Sequence, residues 1–96
     1  MYSFEWDEAK NQSNIHKHGV SFEEARTVFY DECAMLEYDE DHSFSEPRFR
    51  LLGMSLQGNI LLVVHCIRKG STIRIISSRK ASLTERKGYE RSIIQP

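Results

Sequence analysis

The chain has only two cysteines, Cys33 and Cys66, and no Cys-x-x-Cys or His-Glu-x-x-His pattern, so metal-centred hydrolysis has no support in its motifs. A glycine-rich phosphate loop is missing too, which removes the enzymes that cradle nucleoside triphosphates. No apolar run approaches the ~20 residues of a membrane span. The longest, Ile60 to Val64, has the length of a buried strand. The opening Met1-Tyr2-Ser3-Phe4-Glu5-Trp6-Asp7 lacks the basic segment and hydrophobic stretch of a secretory signal, so a cytoplasmic setting with no membrane contact is expected. Under reducing conditions both cysteines, on segments that read as strands, are expected to be small buried apolar residues rather than a disulfide.

Positive charge is scarce in one half. Through Glu46 there are three basic residues, Lys10, Lys17 and Arg26, against twelve acidic ones; from Pro47 onward ten basic residues face only Glu85 and Glu90. The formal net charge of -1 hides this polarity. It points to a polyanion partner for the second half, the competing reading being that the halves neutralise one another across the folded surface. At 96 residues, with 40% hydrophobic and 28% charged side chains, the chain fits one small soluble domain spanning residues 1–96. A domain of that size buries roughly 60–65% of its unfolded surface, so a partner or a second copy adds useful stability.

Tyr2, Phe4 and Trp6 alternate with polar residues as in a half-buried strand. Asp7 is placed to cap a helix over Glu8 to about Lys17, with Ala9 and Ile15 as its apolar content and His18-Gly19 as its end. His16 and His18 lie about 200° apart on that helix and make a poor metal pair; His18 reads as part of the helix cap. Ser21 and Glu24 have capping-box spacing, and Phe22, Ala25, Val28 and Phe29 follow on one face while Glu23, Glu24 and Arg26 look outward. With a single arginine in that second helix, a helix-turn-helix reader is rejected. Cys33 to Tyr38 reads as a strand, Asp39 to Pro47 as an acidic, flexible connection containing His42, and Arg48 to Met54 as a strand. A Gln57-Gly58-Asn59 turn leads into Ile60 to Ile67, apolar on both faces and therefore central. The turn Arg68-Lys69-Gly70-Ser71 precedes a last strand, Thr72 to Ser78. Ser82 and Glu85 then start a basic helix to about Arg91, with Leu83 and Tyr89 facing the sheet. The order β-α-α-β-β-β-β-α describes an α+β domain with an antiparallel sheet packed by helices.

Cleaving an RNA phosphodiester without metal requires a base for the 2′-hydroxyl, an acid for the leaving oxygen, and cations for the charge on the phosphorane. His65 near the end of the central strand, Arg74 within the last, and Arg79-Lys80 at its junction with the helix supply these types as catalytic candidates. Histidine holds both protonation states near neutrality, although a histidine in an apolar strand also reads as a core residue. Parity places Arg48 and Arg50 on one face, suited to a phosphate backbone, while Arg79 and Lys80 cannot share a face in extended chain. Arg68 and Tyr89 complete the RNA-binding candidates, Tyr89 by stacking on a base. No metal and no cofactor is called for.

Several separated segments, taken in order, resemble the BrnT toxins: Phe4-Glu5-Trp6-Asp7, Lys17-His18-Gly19-Val20-Ser21-Phe22-Glu23-Glu24-Ala25, Arg48-Phe49, Gly53-Met54-Ser55, Val63-Val64-His65 and Arg74-Ile75-Ile76-Ser77-Ser78-Arg79-Lys80-Ala81. The resemblance spans nearly the whole chain. It implies a RelE-like fold and a ribonuclease that arrests translation. It also implies a BrnA-type antitoxin with a ribbon-helix-helix domain, through which alone DNA is contacted and the shared operon repressed, in a homodimer or a heterotetramer with the antitoxin. Ser78 stands where the family commonly has alanine, and Ser82-Leu83-Thr84-Glu85 is less basic than in many relatives. Two other readings compete: a non-enzymatic module that modulates its antitoxin's DNA binding, and direct duplex binding by the basic half, which predicts steep salt dependence.

Overall fold

Asp7, in extended conformation, accepts hydrogen bonds from the backbone N–H groups of Ala9 (2.8 Å) and Lys10 (3.4 Å), and so opens helix α1, Glu8–His18. Gly19 closes it at φ 69°, a left-handed conformation that glycine adopts without penalty, and its N–H returns to Ile15 O at 2.8 Å. The computed structural model describes residues 2–43 and 45–94. In it α1 follows strand β1 (Ser3–Glu5) and precedes α2 (Phe22–Thr27), which tightens into a 3₁₀ turn, Val28–Tyr30. Strands β2 (Met35–Tyr38), β3 (Phe49–Met54), β4 (Ile60–Arg68) and β5 (Thr72–Lys80) come next, then helix α3 (Leu83–Ile94). The element order is the one expected.

The five strands lie in the order β1-β5-β4-β3-β2, with the doubly apolar β4 at the centre. Strands β2 to β5 are antiparallel, but β1 runs parallel to β5, so the sheet is mixed rather than antiparallel throughout. No hairpin turn links β1 to β5; nearly the whole chain intervenes, and nothing local dictates their direction.

One face of the sheet carries the core. Val20, Phe22, Ala25 and Val28 pack on Leu51, Leu61, Val63, Ile73 and Ile75, with Phe4, Trp6, Phe29 and Ala34 at the margin. Helix α1 docks by polar residues instead of its apolar ones: Ala9 and Ile15 are exposed, and Asn11 and Asn14 are buried. Asn11 Oδ1 accepts from Phe22 N–H at 2.8 Å, and Asn14 Nδ2 donates to the carbonyls of Val20 and Ser78, both at 2.8 Å. These bonds satisfy backbone groups that burial would otherwise strand.

Other local expectations are corrected. Only half of the first capping box forms: Ser21 Oγ accepts from Glu24 N–H, but the Glu24 carboxylate turns inward to Ser55 Oγ (2.7 Å) and Asn59 Nδ2 (2.8 Å), holding the β3–β4 turn. The second box is complete, Ser82 N–H to Glu85 and Glu85 N–H to Ser82 Oγ. Cys33 lies exposed in a turn before β2, so the buried reading holds only for Cys66. Leu83, expected to face the sheet, is 65% exposed. The Asp39–Pro47 connection is pinned rather than loose at its base. Asp39 is buried, Glu40–His42 form a 3₁₀ turn, and Ser43 Oγ bridges Asp39 O and Arg48 N–H.

Candidate functional site

Paired residues on neighbouring strands share a face, so the register sorts side chains between the helix-covered face and the open one. Along β4 and β5 the pairs Cys66↔Arg74 and Leu62↔Arg79 fall on the open face, and His65↔Ile75 and Val63↔Ser78 on the covered one. This requires a break in alternation. Val64 pairs with Ser77 and His65 with Ile75, leaving Ile76 as an extra residue in β5. The bulge reverses parity downstream, as bulges do when they re-aim side chains. It brings Arg79 to the face that already carries Arg74 and sends Ser78 beneath α1. Without it the two arginines would point to opposite sides.

The open face therefore gathers Arg50 from β3, Arg68 from β4, and Arg74 and Arg79 from β5. A groove there is floored by Leu62, Val64 and Ile76 and lined by Arg48, Arg50, Ser77, Arg79, Asp39 and His42. Each strand arginine is oriented by a carboxylate. Arg50 pairs with Glu37 and lies 3.6 Å from Asp39, Arg74 holds Glu5 at 2.9 Å, and Arg68 holds Glu46 at 3.0 Å. Arg79 forms a two-pronged pair with Glu85 at 2.8 and 3.0 Å. That guanidinium, and to a lesser extent the Ser82 N–H, hold the Glu85 carboxyl at about 2, against its ordinary 4.5. Among the described residues Arg48 enters no ion pair, leaving it the free cation of the groove. Much of the charge polarity between the halves is thus consumed internally, since Glu5, Glu37, Asp39 and Glu46 of the acidic half meet Arg74, Arg50 and Arg68 of the basic half.

Three sequence-predicted residues lie away from this groove. His65 is 2% exposed on the covered face, between the rings of Phe29 (4.8 Å, edge-on) and Phe49 (5.9 Å, stacked). Burial pushes its pKa down despite a bond to Val63 O, so it sits as a neutral core residue. Tyr89 is also 2% exposed and donates its hydroxyl to Asp31, so its ring is not open to stacking on a base. Lys80 lies on the face opposite Arg79, exposed beside a separate groove with Met54, Asn59, Ile60 and Arg86. Arg74 stays on the open face but beside Glu5, outside the groove lining.

His42 is the groove residue that sequence reasoning passed over as part of an acidic loop. Its Nδ1 lies 3.2 Å from both carboxylate oxygens of Asp39. The Asp39 side chain is only 4% exposed and the His42 side chain 64%, an inward anchor carrying an outward ring.

A family model for the ribonuclease toxin BrnT of type II toxin-antitoxin systems matches residues 6–85. The chain belongs to the BrnT family. Among solved structures, the 1.1 Å crystal structure of the Brucella abortus ribonuclease toxin BrnT is similar with a TM-score of 0.67 and 25% identity, covering 85% of this chain and 99% of that one. No curated protein matches the chain. The expected α+β fold of BrnT toxins is what the sheet and helices display. The span matched by the BrnT model contains Arg48, Arg50, Arg79, His42 and Asp39, whereas Tyr89 lies beyond it.

Proposed function

We propose that this BrnT-family chain cuts RNA in the open-face groove by metal-independent transphosphorylation. The observation that carries the reading is the convergence of Arg48, Arg50 and Arg79 on one groove, Arg79 being turned to that face by the bulge in β5. Arg79 and Arg50, aimed by Glu85 and Glu37, stabilise the charge of the phosphorane as the 2′-oxygen attacks phosphorus. Arg48, without an ion-pair partner among the described residues, holds an adjoining phosphate, and Arg68 and Arg74 extend the cationic face. Among the described residues no three His, Cys, Asp or Glu side chains gather into a metal-binding group. His65 and Tyr89 support the fold, and Lys80 stands outside the reacting centre.

On this reading RNA cleavage arrests translation in the cytoplasm until a BrnA-type antitoxin covers the toxin, and the pair represses its own operon through the antitoxin's DNA-binding domain. No helix of the described residues is long and apolar enough to cross a membrane. One observation favours a non-enzymatic second reading: four of the five open-face arginines are already paired with glutamates, as in a surface built only for protein contact. Inducible expression alone and with the product of the neighbouring gene separates the two. Growth arrest with fragmentation of total RNA, relieved by the neighbour, supports the toxin; normal growth with intact RNA at full soluble expression supports the binding module.

A further inference from the structure

We infer that His42 is the general base of the groove and Asp39 its positioning residue, an assignment that rests on the ribonuclease reading. The geometry is that of an imidazole fixed from behind. Asp39 is held by its N–H on Arg48 O at 2.8 Å and by Ser43 Oγ on its carbonyl, and its buried carboxylate takes the His42 Nδ1 hydrogen. That bond selects the tautomer whose Nε2 carries a lone pair. Nε2 has no hydrogen-bond partner among the described residues, and the ring borders the same groove as Arg48, Arg50, Ser77 and Arg79. A base must stand beside the phosphate clamp to be of use, and His65, on the covered face, does not.

The step balances without a co-reactant. Nε2 takes the proton of the ribose 2′-hydroxyl as the 2′-oxygen forms its bond to phosphorus. The bond from phosphorus to the 5′-oxygen breaks, and that oxygen takes a proton from water. The products are a 2′,3′-cyclic phosphate and a free 5′-hydroxyl, and the imidazolium returns its proton to solvent. The charged groups lining the groove with the imidazole are Asp39 from its own turn and Arg48, Arg50 and Arg79 from the sheet side.

The test uses the purified full chain and an RNA oligonucleotide that the unaltered protein cuts, with rates followed from pH 5 to 9. His42→Ala, at an exposed position, is expected to lower kcat about 100-fold or more with KM changed less than about threefold. Its kcat/KM profile loses the acidic limb, and added imidazole restores part of the rate. Asp39→Asn is expected to lower kcat about tenfold with KM changed less than about threefold, because the ring loses the acceptor that fixes its tautomer and orientation. A His42→Ala protein that cuts at the unaltered rate overturns the inference, as does one whose lost activity leaves the pH profile unchanged and ignores imidazole. Failure of the unaltered protein to cut any RNA, so that no such oligonucleotide is found, overturns the ribonuclease reading instead.

Discussion

Asn14 holds both backbone groups of Ser78, donating Nδ2 to its carbonyl at 2.8 Å and accepting its N–H on Oδ1 at 3.1 Å. This clasp joins α1 to β5 directly after the bulge, so the strand segment that presents Arg79 is fixed from beneath by a side-chain amide.

Asn14→Ala leaves the Ser78 N–H and the Ser78 and Val20 carbonyls without this partner in a dry environment, and is expected to cost about 2–4 kcal/mol. Ser78→Ala should do the opposite. The Ser78 hydroxyl is buried with no partner among the described residues, so its removal is expected to be neutral or stabilising by up to about 1 kcal/mol. Urea unfolding measures both.

Tyr89→Phe removes one of three hydrogen bonds to the Asp31 carboxylate, the others coming from the N–H groups of Cys33 (2.9 Å) and Met54 (2.8 Å). The expected result is a loss of about 1–2 kcal/mol in unfolding free energy with RNA cleavage per folded molecule unchanged. A large fall in cleavage at unchanged stability would restore the ring to a substrate role.

Glu85 gives a pH dependence of defined sign. Its folded pKa of about 2 lies below the ordinary 4.5, so its contribution is present above pH 4.5 and lost as pH falls through the folded value. Glu85→Gln keeps the side-chain acceptor of the capping box but loses the charge facing Arg79. Thermal melts should show a gap between the two proteins that is constant above pH 5 and narrows between pH 4.5 and 2.

The elements were legible in the sequence wherever a local signal existed. Asp7, Gly19, Ser82 and the doubly apolar run of β4 announced helix ends and the central strand because caps and burial act over a few residues. Legibility failed where partners are distant. Asn11 and Asn14 read as surface polar residues, since only the folded chain brings Phe22, Val20 and Ser78 to them. The parallel pairing of β1 and the bulge at Ile76 are likewise products of packing. In the site, the parity of Arg48 and Arg50 was readable. Arg79 was named without the reason for its orientation, and His42 was missed because its significance depends on a buried Asp39 and on strands from elsewhere in the chain.

The position of the reacting centre is tested most directly by cleavage rates of one RNA oligonucleotide with Arg79→Ala and Lys80→Ala, adjacent residues on opposite faces of β5. The account predicts a loss of about 100-fold or more for Arg79→Ala, with both variants folded by circular dichroism, and a change of less than about threefold for Lys80→Ala. Full activity in Arg79→Ala, or a greater loss in Lys80→Ala, would contradict a reacting centre on the open face.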